Sequence, residues 1–211
     1  LSGHGDSDHR EHYTLEAWSA EVVAAARAGG ISGPPVLIGH SMGGIVSFAA
    51  SHLHGDELAG VVIIDSPIRD MTPEELEMRA KAVANAGPPK VYAAAEDAVA
   101  RFRLVPPQDD AEPYVLEHIA RGSLKQVDGG WSWKFDNLRM GREGRRSLEA
   151  MSPGCAVAYF RCERGIIDDA LYGRMVDNLG PDALLIDLPA SGHHPMIDQP
   201  LAVVAAARTL L

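Results

Sequence analysis

The sequence predicts an α/β protein: a mostly parallel sheet flanked by helices, with a helical segment inserted into it. Three observations predict it. Two short apolar runs, "VLI" from Val36 and "LAGVVIID" from Leu58 to Asp65, enclose a helical stretch. After Pro67 the pattern changes to helical periodicity and loops, without a convincing buried strand. The alternation then returns as "CAVAYFR", "DDALYGRMVDNLG" and "DALLIDLP", the order strand, helix, strand. The expected organisation is core residues 1–66, an inserted helical cap at 67–151 and core residues 152–211.

Each element has a local reason. Thr14 stands where a helix cap belongs, and Leu15, Trp18 and Val22 recur at helical spacing until Gly29-Gly30 ends the run. Pro34-Pro35 leads into the strand at Val36, and a second helix is expected from about Gly44 to His54. The run ending at Asp65 is rich in β-branched residues and short, the mark of a strand buried on both faces. In the insertion, Pro73 with Glu74-Glu75 reads as a helix first turn, and 93–103 and 113–124 read as two more helices. "GREGRRSLEAM" also has a helical pattern, and "WSWKF" alternates Trp131, Trp133 and Phe135 like a short extended piece. Asp198 and Pro200 announce the last helix.

Composition bounds the function. The chain has 211 residues, 46% hydrophobic and 23% charged, which is ordinary for a globular domain. A formal net charge of −10 with no basic tract argues against a nucleic-acid partner. No apolar stretch reaches membrane-spanning length, so no membrane partner is expected. The first residues are polar and show no signal peptide, and Cys155 and Cys162 read as reduced thiols, which together favour the cytoplasm. No histidine, cysteine and carboxylate set has zinc-ligand spacing, and neither a metal nor a cofactor is expected.

The chemistry concentrates at Gly39-His40-Ser41-Met42-Gly43, a G-x-S-x-G set between an expected strand and an expected helix. In that context the serine hydroxyl projects clear of the sheet, and the glycines two before and two after it leave room for the turn. The N–H of Met42 then points into the same space and can donate to an oxyanion. The competing reading is a glycine-rich turn with an incidental serine. A serine hydroxyl needs a base, and His193 and His194 follow the last expected strand, on the same edge of a parallel sheet as the elbow. Trp131, Trp133 and Phe135 read either as pocket lining or as packing.

With these residues in view, the chain resembles α/β-hydrolase-fold enzymes over nearly its whole length. "GHGDSD" at 3–8 resembles the family's G-x-G-x-S loop, "GHSMGG" its elbow and "GHHPMIDQP" its terminal histidine loop. The resemblance implies Ser41 as nucleophile, His193 as base with His194 its neighbour, and a cap over the active site at the insertion. The chain departs from the family twice. The family's strands before "GHGDSD", which carry a second oxyanion donor, are not in this sequence, so a preceding segment of the same protein is an expected partner. The loss of one such donor costs ~10²–10³ in rate. The usual triad acid position after the post-insertion strand is Gly165. Asp65, at the end of the earlier strand as in some family members, is the first candidate acid, and Asp168 and Glu163 are the alternatives.

The resemblance therefore implies a cofactor-free serine hydrolase acting on a small ester or related acyl substrate through an acyl-enzyme on Ser41. Two alternatives stand beside it. One is a carbon–carbon bond hydrolase or lyase on the same scaffold. The other is a non-catalytic ligand-binding protein that keeps the pocket. Substrate identity and oligomeric state are outside what these residues determine.

Overall fold

The computed structural model describes residues 1–85, 87–136 and 147–211. The chain divides into two compact units, one of Leu1–Thr14 with Met71–Gly144 and one of Leu15–Asp70 with Arg145–Leu211. The first fourteen residues thus group with the insertion, whereas the expected boundary left them with the core.

The second unit begins with α1 (Leu15–Ala28), β1 (Val36–His40), α2 (Met42–Leu53) and β2 (Gly60–Ile64). All five residues of β2 are buried, as its unbroken apolar run requires of a strand covered on both faces.

The first unit is built on α3 (Pro73–Asn85), α4 (Ala95–Val99), α5 (Pro113–Gly122), β3 (Leu124–Val127) and β4 (Gly130–Trp133). At the start of α3, Glu75 accepts from the Thr72 N–H at 2.8 Å while its own N–H donates to the Thr72 hydroxyl at 3.3 Å. This reciprocal pair satisfies two amide donors at the helix entry. The insertion is less purely helical than its periodicity suggests. β3 and β4 form an antiparallel hairpin, and "WSW" lies in β4, with Trp131 bridged to Tyr92. Gly129 and Gly130 turn the hairpin with φ of 85° and 143°, backbone that side chains resist. The Tyr13 hydroxyl donates to Asp136 at 2.7 Å and the Asp136 N–H donates to the Gly3 carbonyl at 3.0 Å, which holds residues 1–14 to this unit. The helical pattern at 141–146 lies outside the described residues.

The second unit resumes with β5 (Ala156–Arg164), α6 (Asp169–Met175), β6 (Leu184–Gly192), α7 (Pro195–Asp198) and α8 (Pro200–Arg208). The sheet order is β1-β2-β5-β6, and every neighbouring pair is parallel. β2 and β5 are therefore direct partners although the whole insertion separates them in sequence. On one face Val62, Ile64, Ala158, Phe160, Cys162 and Leu188 pack with Ala207 of α8. Val61, Ile63 and Tyr159, which alternate with them, are equally buried. The outer strands are less covered, with Ile38 of β1 50% exposed and Leu184 of β6 56% exposed. Because the strands are parallel, their C-terminal ends meet along one edge, where His40, Asp65, Gly165 and His193 all lie.

Candidate active site

Ser41 sits between β1 and α2 with φ 53° and ψ −120°, a conformation that L-residues rarely adopt. It occupies the N-cap position of α2, yet its side chain makes no capping hydrogen bond. A serine retained only to cap the helix would accept from one of the first amides. Here the backbone carbonyl of Ser41 takes the N–H groups of Gly44 and Ile45, at 3.0 and 3.2 Å, and the hydroxyl is left out of the helix. The Ser41 N–H donates to the Ile64 carbonyl at 3.0 Å, which ties the turn to the end of β2.

The glycines divide the steric work unevenly. A Cβ at Gly39 would lie 2.5 Å from the Gly43 carbonyl carbon and from the Ser47 hydroxyl, and one at Gly44 would lie 2.8 Å from the Ser66 Cβ. A Cβ at Gly43 would meet nothing within 4 Å. The close approaches therefore require glycine at 39 and 44, while the expected need for room at 43 finds no neighbour to cause it. Met42 opens α2, so its N–H is among the helix's first donors, which have no carbonyl one turn back to accept them.

Asp65 follows β2 with φ 43° and is fully buried. Its N–H donates to Phe160 of the neighbouring strand at 2.8 Å, so the left-handed residue is held by the sheet itself. Burying this carboxylate is offset by three donors: the Ile166 N–H at 2.9 Å, the Cys162 N–H at 3.3 Å and His193 Nδ1 at 2.8 Å. Tyr159 supports the turn, its hydroxyl donating to the Ser66 carbonyl at 2.9 Å and accepting from the Ser66 N–H at 3.1 Å. Burial, reinforced by Asp65, raises the Tyr159 pKa well above its usual value, so this hydroxyl stays protonated.

His193 is 4% exposed and stands on the loop after β6. A carboxylate only accepts, so His193 Nδ1 carries the proton of the Asp65 contact and Nε2 keeps the lone pair of the neutral ring. The loop is anchored around it. The Gly192 N–H donates to Asp198 at 2.6 Å, the Ser191 hydroxyl donates to Leu188 at 2.7 Å, and Arg164 donates to the Ala190 carbonyl at 2.7 Å. Glu163 accepts the Ala190 N–H at 2.6 Å, and Asp168 caps α6 by accepting from the Leu171 N–H at 2.7 Å. Both alternative carboxylates are thus occupied with backbone amides, while Asp65 lies against the imidazole.

His40 had no role in the sequence reading beyond its place beside Ser41. Its Nε2 donates to the His193 carbonyl at 2.6 Å, and the two rings lie 4.6 Å apart between centroids. The residue before the serine is therefore latched to the loop that carries the imidazole. Burial, then repulsion from His193, lowers the His40 pKa to about 4, which keeps the ring neutral near pH 7. Nothing in the one-dimensional pattern signals this contact.

The aromatic stretch of the insertion lies in the first unit. There Trp133 and Phe135, with Phe102, Pro88, Lys90 and Lys134, line a cavity of about 520 Å³. Among the described residues, no helix is long and apolar enough to cross a membrane.

Residues 1–207 match the profile described as "Alpha/beta hydrolase family". The chain is 27% identical over 231 aligned positions to Lipase LipV of Mycobacterium tuberculosis, an alignment covering all of this chain and 81% of the lipase. Among solved structures, it is similar to E-2-(acetamidomethylene)succinate hydrolase, with a TM-score of 0.76, 23% identity, and coverage of 99% of this chain and 78% of that one. It is also similar to an esterase of Mycobacterium tuberculosis, with a TM-score of 0.72, 18% identity, and coverage of 100% of this chain and 72% of that one. A profile match across nearly all of the sequence, together with a parallel sheet of this topology, shows that the chain belongs to the alpha/beta hydrolase family.

Proposed function

We propose that this hydrolase cleaves a small ester or related acyl substrate through a covalent acyl-enzyme on Ser41. The observation that carries the reading is the buried Asp65–His193 hydrogen bond, 2.8 Å long, on the strand edge that also bears the serine turn. In the proposed reaction His193 Nε2 takes the Ser41 proton as the hydroxyl oxygen attacks the acyl carbon. The Met42 N–H donates to the resulting oxyanion. The imidazolium then gives its proton to the leaving oxygen, and the acyl-enzyme forms as the ester C–O bond breaks. Water repeats the sequence, and the serine is released. Asp65 stays ionised throughout, orienting the ring and stabilising its charged form.

The lipase and esterase among the similar proteins support ester chemistry. The Ser41 side chain's lack of a capping bond supports a hydroxyl held for chemistry. Fluorophosphonate labelling followed by mass location of the adduct tests the reading. The expected adduct is on Ser41, and Ser41→Ala should lower turnover of a p-nitrophenyl ester by ~10⁶ while the fold is kept. An adduct on another serine, with Ser41 unlabelled, would overturn it.

A further inference from the structure

We infer that His40, His193 and His194 form a binding site for one borderline transition-metal ion, Zn²⁺ foremost, and that the ion switches the enzyme off. The inhibitory half rests on the acyl-enzyme reading above; the binding half does not.

The three imidazoles each offer a nitrogen, and these nitrogens lie within 4.8 Å of one another. The rings form a closed triangle, with centroid distances of 4.6 Å for His40–His193, 4.8 Å for His193–His194 and 5.4 Å for His40–His194. Three nitrogens around one tetrahedral ion at Zn–N distances of about 2.0–2.1 Å stand roughly 3.4 Å apart. The side chains of His40 and His194, both half-buried, need to close by no more than about 1.5 Å to reach that spacing.

The protonation pattern suits a metal. His193 donates through Nδ1 to Asp65, which leaves Nε2 as its ligand atom. His40 donates through Nε2 to the His193 carbonyl, which leaves Nδ1. Asp65 then stands where the carboxylate of a carboxylate–histidine–zinc arrangement stands, fixing the tautomer and raising the basicity of the ligating nitrogen. Three imidazoles with no oxygen donor among them select Zn²⁺, Cu²⁺ or Ni²⁺ over Mg²⁺ or Ca²⁺. The consequence for catalysis is direct. The His193 Nε2 lone pair that would accept the serine proton is the one the ion occupies, so metal binding and turnover exclude each other.

Calorimetric titration of the Ser41→Ala protein with Zn²⁺ tests binding without any need for turnover. One ion per chain is expected, and His194→Phe and His40→Phe should each weaken binding by at least ~10-fold. Asp65→Asn should weaken it by about 10–100-fold. Absence of binding, or binding unchanged by both histidine replacements, would overturn the site. In the active protein, Zn²⁺ should stop p-nitrophenyl acetate hydrolysis reversibly, with recovery on adding a chelator. The His194→Phe enzyme should turn over substrate and resist the ion; equal sensitivity in that variant would also overturn the proposal. A protein that binds one Zn²⁺ through these histidines yet hydrolyses no ester without metal upholds the site and removes the acyl-enzyme reading.

Discussion

The ends of β2 and β5 lie side by side, with Ile64 in register with Phe160, and they are built in opposite ways. β2 ends in a left-handed residue that carries a carboxylate, whereas β5 runs on to a residue with no side chain, Gly165. A Cβ on Gly165 would lie 2.5 Å from the Asp65 Cγ and closer still to both of its oxygens. The acid reaching in from β2 thus fills the space that a side chain at 165 would need. One position can carry the carboxylate only if the other is bare. The glycine at the family's usual acid position is therefore the steric counterpart of Asp65, and it gives no support to the non-catalytic alternative.

This contrast can be broken from either side. Neutralising the β2 end has the largest expected effect. Asp65→Asn should lower kcat by ~10⁴ in ester hydrolysis, the scale of a triad that loses its orienting acid. A loss below tenfold would shift the acid to another carboxylate and deprive the β2–β5 difference of its catalytic meaning.

The end of β1 offers a second comparison, since His40 is half-buried and hydrogen-bonded to a backbone carbonyl where His193 has a carboxylate. Its folded pKa of about 4 lies below the ordinary histidine value of 6.5, so the native state favours the neutral ring. The stability tied to that preference is intact above about pH 6.5 and is lost as pH falls toward 4, by at most ~3 kcal/mol. Chemical denaturation across this range should show His40→Gln losing less stability on acidification than the parent protein.

Filling the β5 end is the next test. Gly165→Ala should destabilise by ~1–3 kcal/mol, because the Asp65 carboxylate is pinned by three donors and has no room to yield. In an Asp65→Ala background the same change should cost much less. A double-mutant cycle reads this coupling, and strict additivity would deny that the two strand ends compete for one space. The smallest effect is expected at Asp168, which caps α6. Asp168→Ala should cost ~1 kcal/mol of stability and change kcat by less than Asp65→Asn does by orders of magnitude.

What the sequence by itself determined is the part that depends on near neighbours in the chain. A wholly apolar β-branched run makes a doubly covered strand, and glycines around a serine between strand and helix make a strained turn, whatever lies elsewhere. Asp65 and His193 were both legible as members of strand-end loops on one edge of a parallel sheet. Their pairing was the first expectation, with Asp168 and Glu163 left open, and the choice among the three waited on the fold, since it joins residues 128 positions apart and depends on how far each loop reaches. Tertiary structure alone decided that Glu163 accepts the Ala190 N–H, and that a Cβ at Gly44 would meet Ser66 while one at Gly43 would meet nothing within 4 Å. It also decided that His40 grips the His193 carbonyl, and that residues 1–14 join the insertion through Tyr13 and Asp136. The physical reason is common to all of these. Hydrogen-bond reach and steric exclusion act over a few ångströms between segments that only the folded sheet and its loops bring to that distance.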